Sequence, residues 1–560
     1  MEQKLEKVFI IALHNLGISD ARFTLEHPDL QHGDYTCNAA MVYAKQLGIS
    51  PVVLAKKIIQ EINNQSIPEI ASCTIAGPGF INIQLTPEFF LGQLSVILSD
   101  QNFGDNTTRQ GQKILIEHSS PNLFKPFHIG HMMNNTIGES LVRLFRASGA
   151  SVETLSFPSD ISLGVAKAIF IILEKYGADF APSDIAILGD AYVAGTRKYE
   201  DDLSIQGRVK EIADNLYAGN DSPEWSVYNR CKEFNIRYFE SITQRLGSQF
   251  DGYVYESRAG VVGKEIVLKY TPDVFTESEG AIIYIPDLEK KPWLNTSVFI
   301  NSQGNPTYEA KDLGLLKIKF DTYNPDTSIF ITDKEQSPHF LNVLDAGSQI
   351  NQIWADRSFH CAHGRMSFKG QKMSSRLGNT PLVSDMIDLV LDEVQERSQD
   401  RAIDSITQES IAIGALKFAI LKAKPGENIN FDPEVNLSFE GDSGPYLQYT
   451  HARITSLLEK AELEGFTPQM ASTEQVGEIE RLVYRLPQVI VRATENFSPN
   501  YVVTYLLEIA RAFNSFYGSH KIIDSENRQA TEHRIVLALA VKTVLRNGLN
   551  VLGISAPEKM

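Results

Sequence analysis

Apolar residues recur at helical spacing near the start of the chain, first as Leu5, Val8, Phe9, Ala12 and Leu16, then as Leu54, Ile58, Ile59 and Ile62. Short strand-like runs such as Phe80–Leu85 alternate with them, so residues 1–110 read as a small α+β domain. The polar tract 105–111 ends in glycine, has the composition of a loop and marks the first boundary. Lys113–Glu117 is a short apolar run of the kind that forms a buried parallel strand. From about Met132 to Ser148, Ile137, Leu141, Leu144 and Phe145 keep a helical period that Gly149 stops. Strand, loop and helix in that order open a nucleotide-binding α/β unit. The runs Ser297–Ile300 and Ser328–Ile331, with a helical stretch after Tyr308 between them, continue the alternation. The pattern therefore predicts a doubly wound, Rossmann-type parallel sheet over 111–384, with an insertion. From about Asp385 strand signals nearly vanish, and long periodic segments such as Tyr501–Tyr517 and Thr531–Leu545 predict an all-α C-terminal bundle. Residues 385–440 read as a helical connection and 441–560 as the bundle itself.

Length agrees with that division, since 560 residues are too many for one core at about 150 residues per domain. A composition of 43% apolar and 22% charged residues excludes a disordered or fibrous chain. The net charge of −17 argues at first against a nucleic-acid partner. That charge is uneven, however: residues 1–150 carry −2, 151–300 carry −8, 301–450 carry −7 and 451–560 carry none. Both ends can therefore present basic faces. Cys37, Cys73, Cys231 and Cys361 are too far apart for a CxxC metal pair or a secreted disulfide framework, and a cytoplasmic location fits them. The N-terminus reads as an amphipathic helix rather than a signal peptide, and no apolar stretch is long enough to span a membrane.

Two loops carry candidate chemistry. The first, Glu117 to His131, sets His128 and His131 about Gly130 at a predicted helix N-terminus, where free backbone N–H groups already favour an anion. Imidazole donors there suit phosphate oxygens, and Gly130 lets a flat base approach the backbone. A four-residue coincidence reads the same way, and zinc fits less well because no third ligand lies at a familiar spacing. The second loop, Gly370 to Asn379, offers Lys372, Ser374 and Ser375 between glycines, a set suited to a polyphosphate but also to an ordinary solvated loop.

In this order, 241 positions apart from His131 to Lys372, the two loops resemble the paired signatures of class I aminoacyl-tRNA synthetases. Flanking runs narrow the likeness. IEHSSPNLFKPFHIGH (116–131), PTYEAKD (306–312), EQSPHF (335–340), KMSSRLGN (372–379), LSFEGDSGPYLQYTHARI (437–454) and RAFNSFY (511–517) resemble arginyl-tRNA synthetases. So do GDYTCNAAMVYAKQLG (33–48) and AGPGFINI (76–83) at the N-terminus. The resemblance implies ATP-dependent formation of arginyl-adenylate and transfer of arginine to the terminal adenosine of tRNA(Arg). Magnesium would accompany the phosphates, no protein-bound metal is expected, and family members are commonly monomeric.

Arginine makes a demand of its own. A guanidinium has five donors, no acceptor and a permanent charge, so its pocket needs carboxylates. Glu117 and Asp312 can supply them, and Tyr308, four residues before Asp312, would share a helical face with it. The resemblance implies that Glu117 and Asp312 meet the guanidinium and that Asn122, Tyr308 and Gln336 meet the α-amino end or its surroundings. Surface acids and a core tyrosine are the plain alternatives. The resemblance also assigns ATP to His128, Gly130, His131 and Lys372, with Ser374 and Ser375 beside them. Tyr446, Tyr449 and Tyr517 are candidates to stack on unstacked anticodon bases, with core tyrosines as the alternative. Met560 is placed by the family near the anticodon loop, the alternative being a frayed end. The N-terminal domain is implied to touch the outer corner of the tRNA.

Two places depart from the family pattern. Ser375 stands where the common class signature has a second lysine, and Lys125 occupies the position thought to compensate. In 157–170 Ser159 and Gly164 replace usual residues, which leaves Asp160 outside the candidate site. His360-Cys361-Ala362-His363 reads as local packing rather than a metal cluster. A different class I synthetase, a small nucleotidyltransferase and an inactive RNA-binding paralogue are the competing readings. The long helical C-terminus disfavours the second, and the presence of both loops and both acids disfavours the third.

Two outcomes follow from these residues. Lys125→Ala is expected to lower adenylate formation strongly while tRNA affinity stays within about a few-fold, measured by arginine-dependent activation and tRNA binding; an unchanged activation rate excludes the compensating role. Affinity for tRNA should fall steeply between low and moderate salt despite the overall acidity, because docking through basic patches on the end domains releases counterions. A salt-independent binding constant would exclude that mode of docking.

Overall fold

The computed structural model describes residues 1–219, 221–369, 382–397, 403–471 and 476–560. At the N-terminus, helices Glu2–Asn15 and Pro51–Asn64 pack on a four-stranded antiparallel sheet in the order Leu25–Glu26, Tyr35–Cys37, Phe80–Leu85, Ile70–Ala76. The apolar stripe predicted from spacing is the face they bury, with Leu5, Phe9, Ala12, Leu54 and Ile58 fully enclosed. Ser50 and Thr86 start helices Pro51–Asn64 and Pro87–Ser99 by accepting a backbone N–H, each followed by a proline that fits the first helical position. Buried Asp34 accepts from the Leu85 amide at 2.7 Å and pairs with Arg481 of the C-terminal helices, so this unit is tied to the far end of the chain.

Five parallel strands form the central sheet, in the spatial order Ser358–His363, Thr327–Asp333, Lys113–Glu117, Ser151–Ser156, Gly252–Tyr253. The strand order reverses on either side of Lys113–Glu117, which is the doubly wound arrangement, and it opens a crevice at the carboxyl ends of that strand and Thr327–Asp333. The first strand is central and its Ile114, Leu115 and Ile116 are buried, which is why it reads as an unbroken apolar run.

Two crossovers carry the inserted mass. Between the second and third strands, helices Leu163–Tyr176, Ile185–Asp201, Leu203–Ala218 and Pro223–Arg245 share their own apolar cluster. Between the third and fourth, helices Glu256–Lys269 and Tyr308–Tyr323 flank a three-stranded sheet. Here one expectation is corrected. Ser297–Ile300 does not extend the parallel sheet: it pairs antiparallel with Ala281–Tyr284, which is itself the second arm of a hairpin from Phe275–Ser278. Glu279 and Gly280 both take positive φ, the geometry of a tight hairpin turn, so a local edge was available before the distant sheet. A second correction concerns the C-terminal part, where Ile429–Phe431 is a strand paired in parallel with Met366–Phe368. Three residues are too few to show a period.

Helices Val383–Arg397, Ser405–Lys422, Gly444–Leu463, Leu486–Glu495, Asn500–Ser519 and Arg528–Val551 make up most of the C-terminal part. It is not a detached unit. One apolar cluster runs from Ile114, Ile116, Ile329 and Ile331 of the parallel sheet through Leu141 and Phe145 to Phe418, Leu447, Phe513 and Val541. Next to Phe418 in the chain, buried Lys417 donates to the Leu246 and Gly553 carbonyls, both at 2.6 Å, and burial lowers it to about 8. Among the described residues, no helix is long and apolar enough to cross a membrane.

Helices Glu256–Lys269 and Tyr308–Tyr323 meet backbone to backbone. A Cβ on Gly263 would lie 1.8 Å from the Ala310 carbonyl oxygen, and one on Gly314 would lie 2.0 Å from that of Ala259. Neither neighbour is a flexible side chain, so the helices themselves would have to part. Gly263→Ala is therefore expected to cost about 1–3 kcal/mol in urea unfolding and to shift the residues of helix Tyr308–Tyr323. An unchanged unfolding midpoint would show that the crossing is looser than this.

Candidate active site

The crevice at the sheet's switch point is built around helix Ile129–Ala147. Asn134 on that helix accepts from the Ser119 amide at 2.6 Å and donates to the Ile331 carbonyl, so it joins the ends of the two strands that part there. Ser119 and Phe124 hold positive φ without being glycine, and Asn235 accepts from the Phe124 amide at 2.6 Å. Such conformations cost free energy and need outside support, which the two asparagines give to the histidine loop. Neither Asn134 nor Asn235 stands out in the sequence; each is one asparagine on a helix, with no spacing to mark it.

His128 caps the helix. Its Nδ1 accepts from the Gly130 amide and the His131 Nδ1 accepts from the His128 amide, both at 3.1 Å, a reciprocal cap with histidines in both roles. The rings stack with centroids 3.8 Å apart, and Phe127 stacks on His131. Burial, followed by the neighbouring positive charge of Lys125, lowers His128, and burial with the charges of His128 and Lys125 lowers His131 well below the usual range. Both rings are then neutral at pH 7. An Nδ1 that accepts a backbone N–H leaves the proton on Nε2, so each ring presents one neutral donor. The Lys125 ammonium lies 4.3 Å from the centroid of the Tyr192 ring.

The carboxylates expected for a guanidinium are not surface acids. Glu117, at the carboxyl end of the central strand, is buried and ion-paired with buried Lys319; burial raises it, Lys319 opposes the rise, and the charge of Asp312 adds to it. Asp312 is 16% exposed and its Oδ2 lies 2.5 Å from His339 Nε2. Burial works against charge on His339, but its bonds to Asp312 and Glu309 outweigh this and raise it to about 9. Tyr308 opens helix Tyr308–Tyr323 with 61% of its surface exposed, and Lys311 lies 5.2 Å from its ring centroid. Lys311 in turn is buried against Glu256 at 2.7 Å. Asn122 and Gln336 are exposed, the first bridged to Ser159, the second at the end of the turn Lys334–Gln336 that follows strand Thr327–Asp333. The two acids are thus largely enclosed, whereas the three neutral polar residues are exposed. His339 and Lys319 were not among the sequence candidates, although His339 lies within the quoted motif 335–340.

Asp160 proves to be a buried hub. It accepts from Tyr228 at 3.0 Å, Lys232 at 2.6 Å and Ser257 twice, at 2.8 and 2.9 Å, which occupies both oxygens. Its role is to fix 157–170 against two helices. His360 bonds Thr332 at 2.7 Å and His363 Nδ1 bonds the Gly364 carbonyl at 2.7 Å, three residues apart on one strand and so on opposite faces.

Lys372, Ser374 and Ser375 lie outside the described residues. The chain reaches their segment from Lys369, whose amide donates to the Phe431 carbonyl at 2.8 Å, and leaves it at Leu382, which bridges to His128. In the C-terminal part, Arg453 sits 4.8 Å from the ring centroid of Tyr449 and 5.5 Å from that of Tyr517, and Asn514 bonds both Arg453 and Tyr446. None of these three tyrosines is fully buried. Met560 packs on a separate apolar cluster that includes Met386 and Ile411, and Pro557 O accepts from His451, so the end of the chain is held rather than frayed.

Known proteins share this architecture. Residues 2–85 match a family model described as the arginyl tRNA synthetase N-terminal domain, 93–432 one described as the class I (R) tRNA synthetase catalytic domain, and 447–560 one described as the DALR anticodon binding domain. An arginine–tRNA ligase of Oenococcus oeni is 30% identical over 547 residues, covering 95% of this chain and 94% of its own. One from Treponema denticola is 28% identical, covering 92% and 91%. The solved arginyl-tRNA synthetase of Thermus thermophilus superposes with a TM-score of 0.82 at 24% identity over the full length of both chains. That of Plasmodium falciparum gives 0.80 at 20%, covering all of this chain and 99% of its own. With the catalytic model alone spanning more than half of the chain, and with a full-length relative at 30% identity, the chain belongs to the arginyl-tRNA synthetase family of class I aminoacyl-tRNA synthetases.

Proposed function

We propose that the chain attaches L-arginine to the 3′-terminal adenosine of tRNA(Arg) in two steps. An arginine carboxylate oxygen attacks the α-phosphorus of ATP and displaces pyrophosphate, giving arginyl-adenylate. A terminal ribose hydroxyl of the tRNA then attacks the activated carbonyl and releases AMP. The observation that carries this reading is the pairing, at one switch point, of two neutral histidine donors at a helix N-terminus with two recessed carboxylates.

The division of labour follows from charge. Neutral Nε2–H donors on His128 and His131 can bond phosphate oxygens without first losing a proton, and they are held by the backbone before substrate arrives. Donors fixed in advance lower the barrier where charge develops on the pentavalent phosphorus. Gly130 leaves room for the nucleotide, and Lys125 adds the positive charge that Ser375 no longer brings. Lys372, Ser374 and Ser375 complete the phosphate set. Glu117 and Asp312 take the guanidinium, and Asn122, Tyr308 and Gln336 take the α-amino end. Magnesium accompanies the phosphates and shields their charge. Tyr446, Tyr449 and Tyr517 offer stacking faces to the anticodon loop, with Met560 as a further contact.

The four cysteines are free thiols, which supports a cytoplasmic location, and the family likeness supports a monomer. Incubation of the full chain with total tRNA, ATP and labelled arginine is expected to charge arginine and none of the other amino acids supplied in its place. Charging of another amino acid would move the chain to a different specificity, and no charging at all would overturn the enzymatic reading.

A further inference from the structure

Both carboxylates assigned to the guanidinium already have a cation. Glu117 is paired with Lys319, and Asp312 with His339. His339 differs, because imidazole can exist without charge near neutral pH.

The acids on either side of the ring favour its charged form. Nε2 lies 2.5 Å from Asp312 Oδ2 and Nδ1 lies 3.6 Å from Glu309 Oε1. A neutral imidazole has one N–H and would turn a lone pair toward one of these carboxylates. Two carboxylates on the two nitrogens therefore call for the imidazolium. Among the described residues, the groups facing it are Glu309 and Asp312 from helix Tyr308–Tyr323, His360 from strand Ser358–His363, and the ring of Phe340 edge-on from its own helix, Ser337–Ile350. Burial and the charges of His363 and His339 lower His360 to about 4, so it stays neutral while His339 titrates.

We propose that His339 is a proton-linked positioning residue of the amino-acid pocket, holding Asp312 before arginine binds and surrendering one proton when a guanidinium takes that carboxylate. The inference rests on the arginine pocket proposed above. A guanidinium on Asp312 beside an imidazolium would set two cations on one carboxylate. Loss of one ring proton to solvent removes the conflict: the neutral ring keeps a single N–H for the two acids, and Asp312 is left with one cationic partner, the substrate. His339 retains 18% side-chain exposure, which gives the proton a way out. The site thus exchanges a proton for arginine, and arginine binding should tighten as pH rises toward the titration of His339.

The test is calorimetric titration of L-arginine into the full chain with deacylated tRNA(Arg) present and ATP absent, at pH 7.5, in phosphate and in Tris, which differ in ionisation heat. About one proton released per arginine is expected, with affinity rising about tenfold per pH unit between pH 6.5 and 8. His339→Gln, which can still bond Asp312 but cannot titrate, should abolish both the proton release and the slope. Equal heats in the two buffers and a flat affinity in the wild-type chain, alongside normal arginine charging, would overturn the proposal while leaving the function intact. The wild-type measurement stands without the variant, should the variant fail to fold. Proton release that persists in His339→Gln would assign the proton elsewhere and also overturn it. Absence of arginine binding and of charging together would overturn the proposed function and this inference with it.

Discussion

A buried carboxylate needs a cation, and this requirement organises the site from below. Helix Tyr308–Tyr323 meets it at three levels: Lys311 pairs with Glu256, Asp312 with His339, and Lys319 with Glu117. Moving a charge out of water costs several kcal/mol, and a partner at hydrogen-bond distance offsets much of that. The helix is therefore bound to the helix before it, Glu256–Lys269, to the helix after it, Ser337–Ile350, and to the central strand. Its near-absence of an apolar stripe has the same origin, since Lys311 and Lys319 lie among its buried residues. The contact at Gly263 and Gly314 brings the first two of these helices close enough for Lys311 to reach Glu256.

The phosphate side is arranged on the opposite electrical principle. Where the guanidinium side holds formal charges in pairs, the histidine loop holds two rings neutral by burial and by the positive charge of Lys125. Capping the helix is what sets their tautomer, because a nitrogen that accepts from the backbone cannot also donate. One local motif thus ends a helix, orients two donors and leaves the anion-attracting end of that helix open.

Distance between the ends of the molecule is bridged by packing rather than by linkers. The apolar cluster that begins under the parallel sheet continues into the C-terminal helices, and helix Ser405–Lys422 is buried on nearly all sides between them. That helix has no clear polar face to read, which is why 385–440 looks in sequence like a mere connection. Arg481 and Tyr484, from the C-terminal helices, reach the N-terminal unit in the same way.

Elements long enough to repeat their period were legible: the N-terminal helices, the buried central strand, helix Ile129–Ala147 and the last two helices. A strand of four residues shows its type but not its partner, so Ser297–Ile300 reads as part of the wrong sheet, and a strand of three, Ile429–Phe431, shows neither. The residues that touch substrate in the proposed reading came from motif order, because a phosphate or a guanidinium limits which side chains can serve it. The residues that hold those side chains did not. Asn134, Lys319 and His339 act across 15 to 202 positions of chain, on Ser119, Glu117 and Asp312 and on the end of a neighbouring strand. By itself the sequence determined the family, the order of its parts and the chemistry of its loops, since these depend on local composition and spacing. Which acid is neutralised, by which cation and in which protonation state depends on desolvation and distance, and only the tertiary structure decides those.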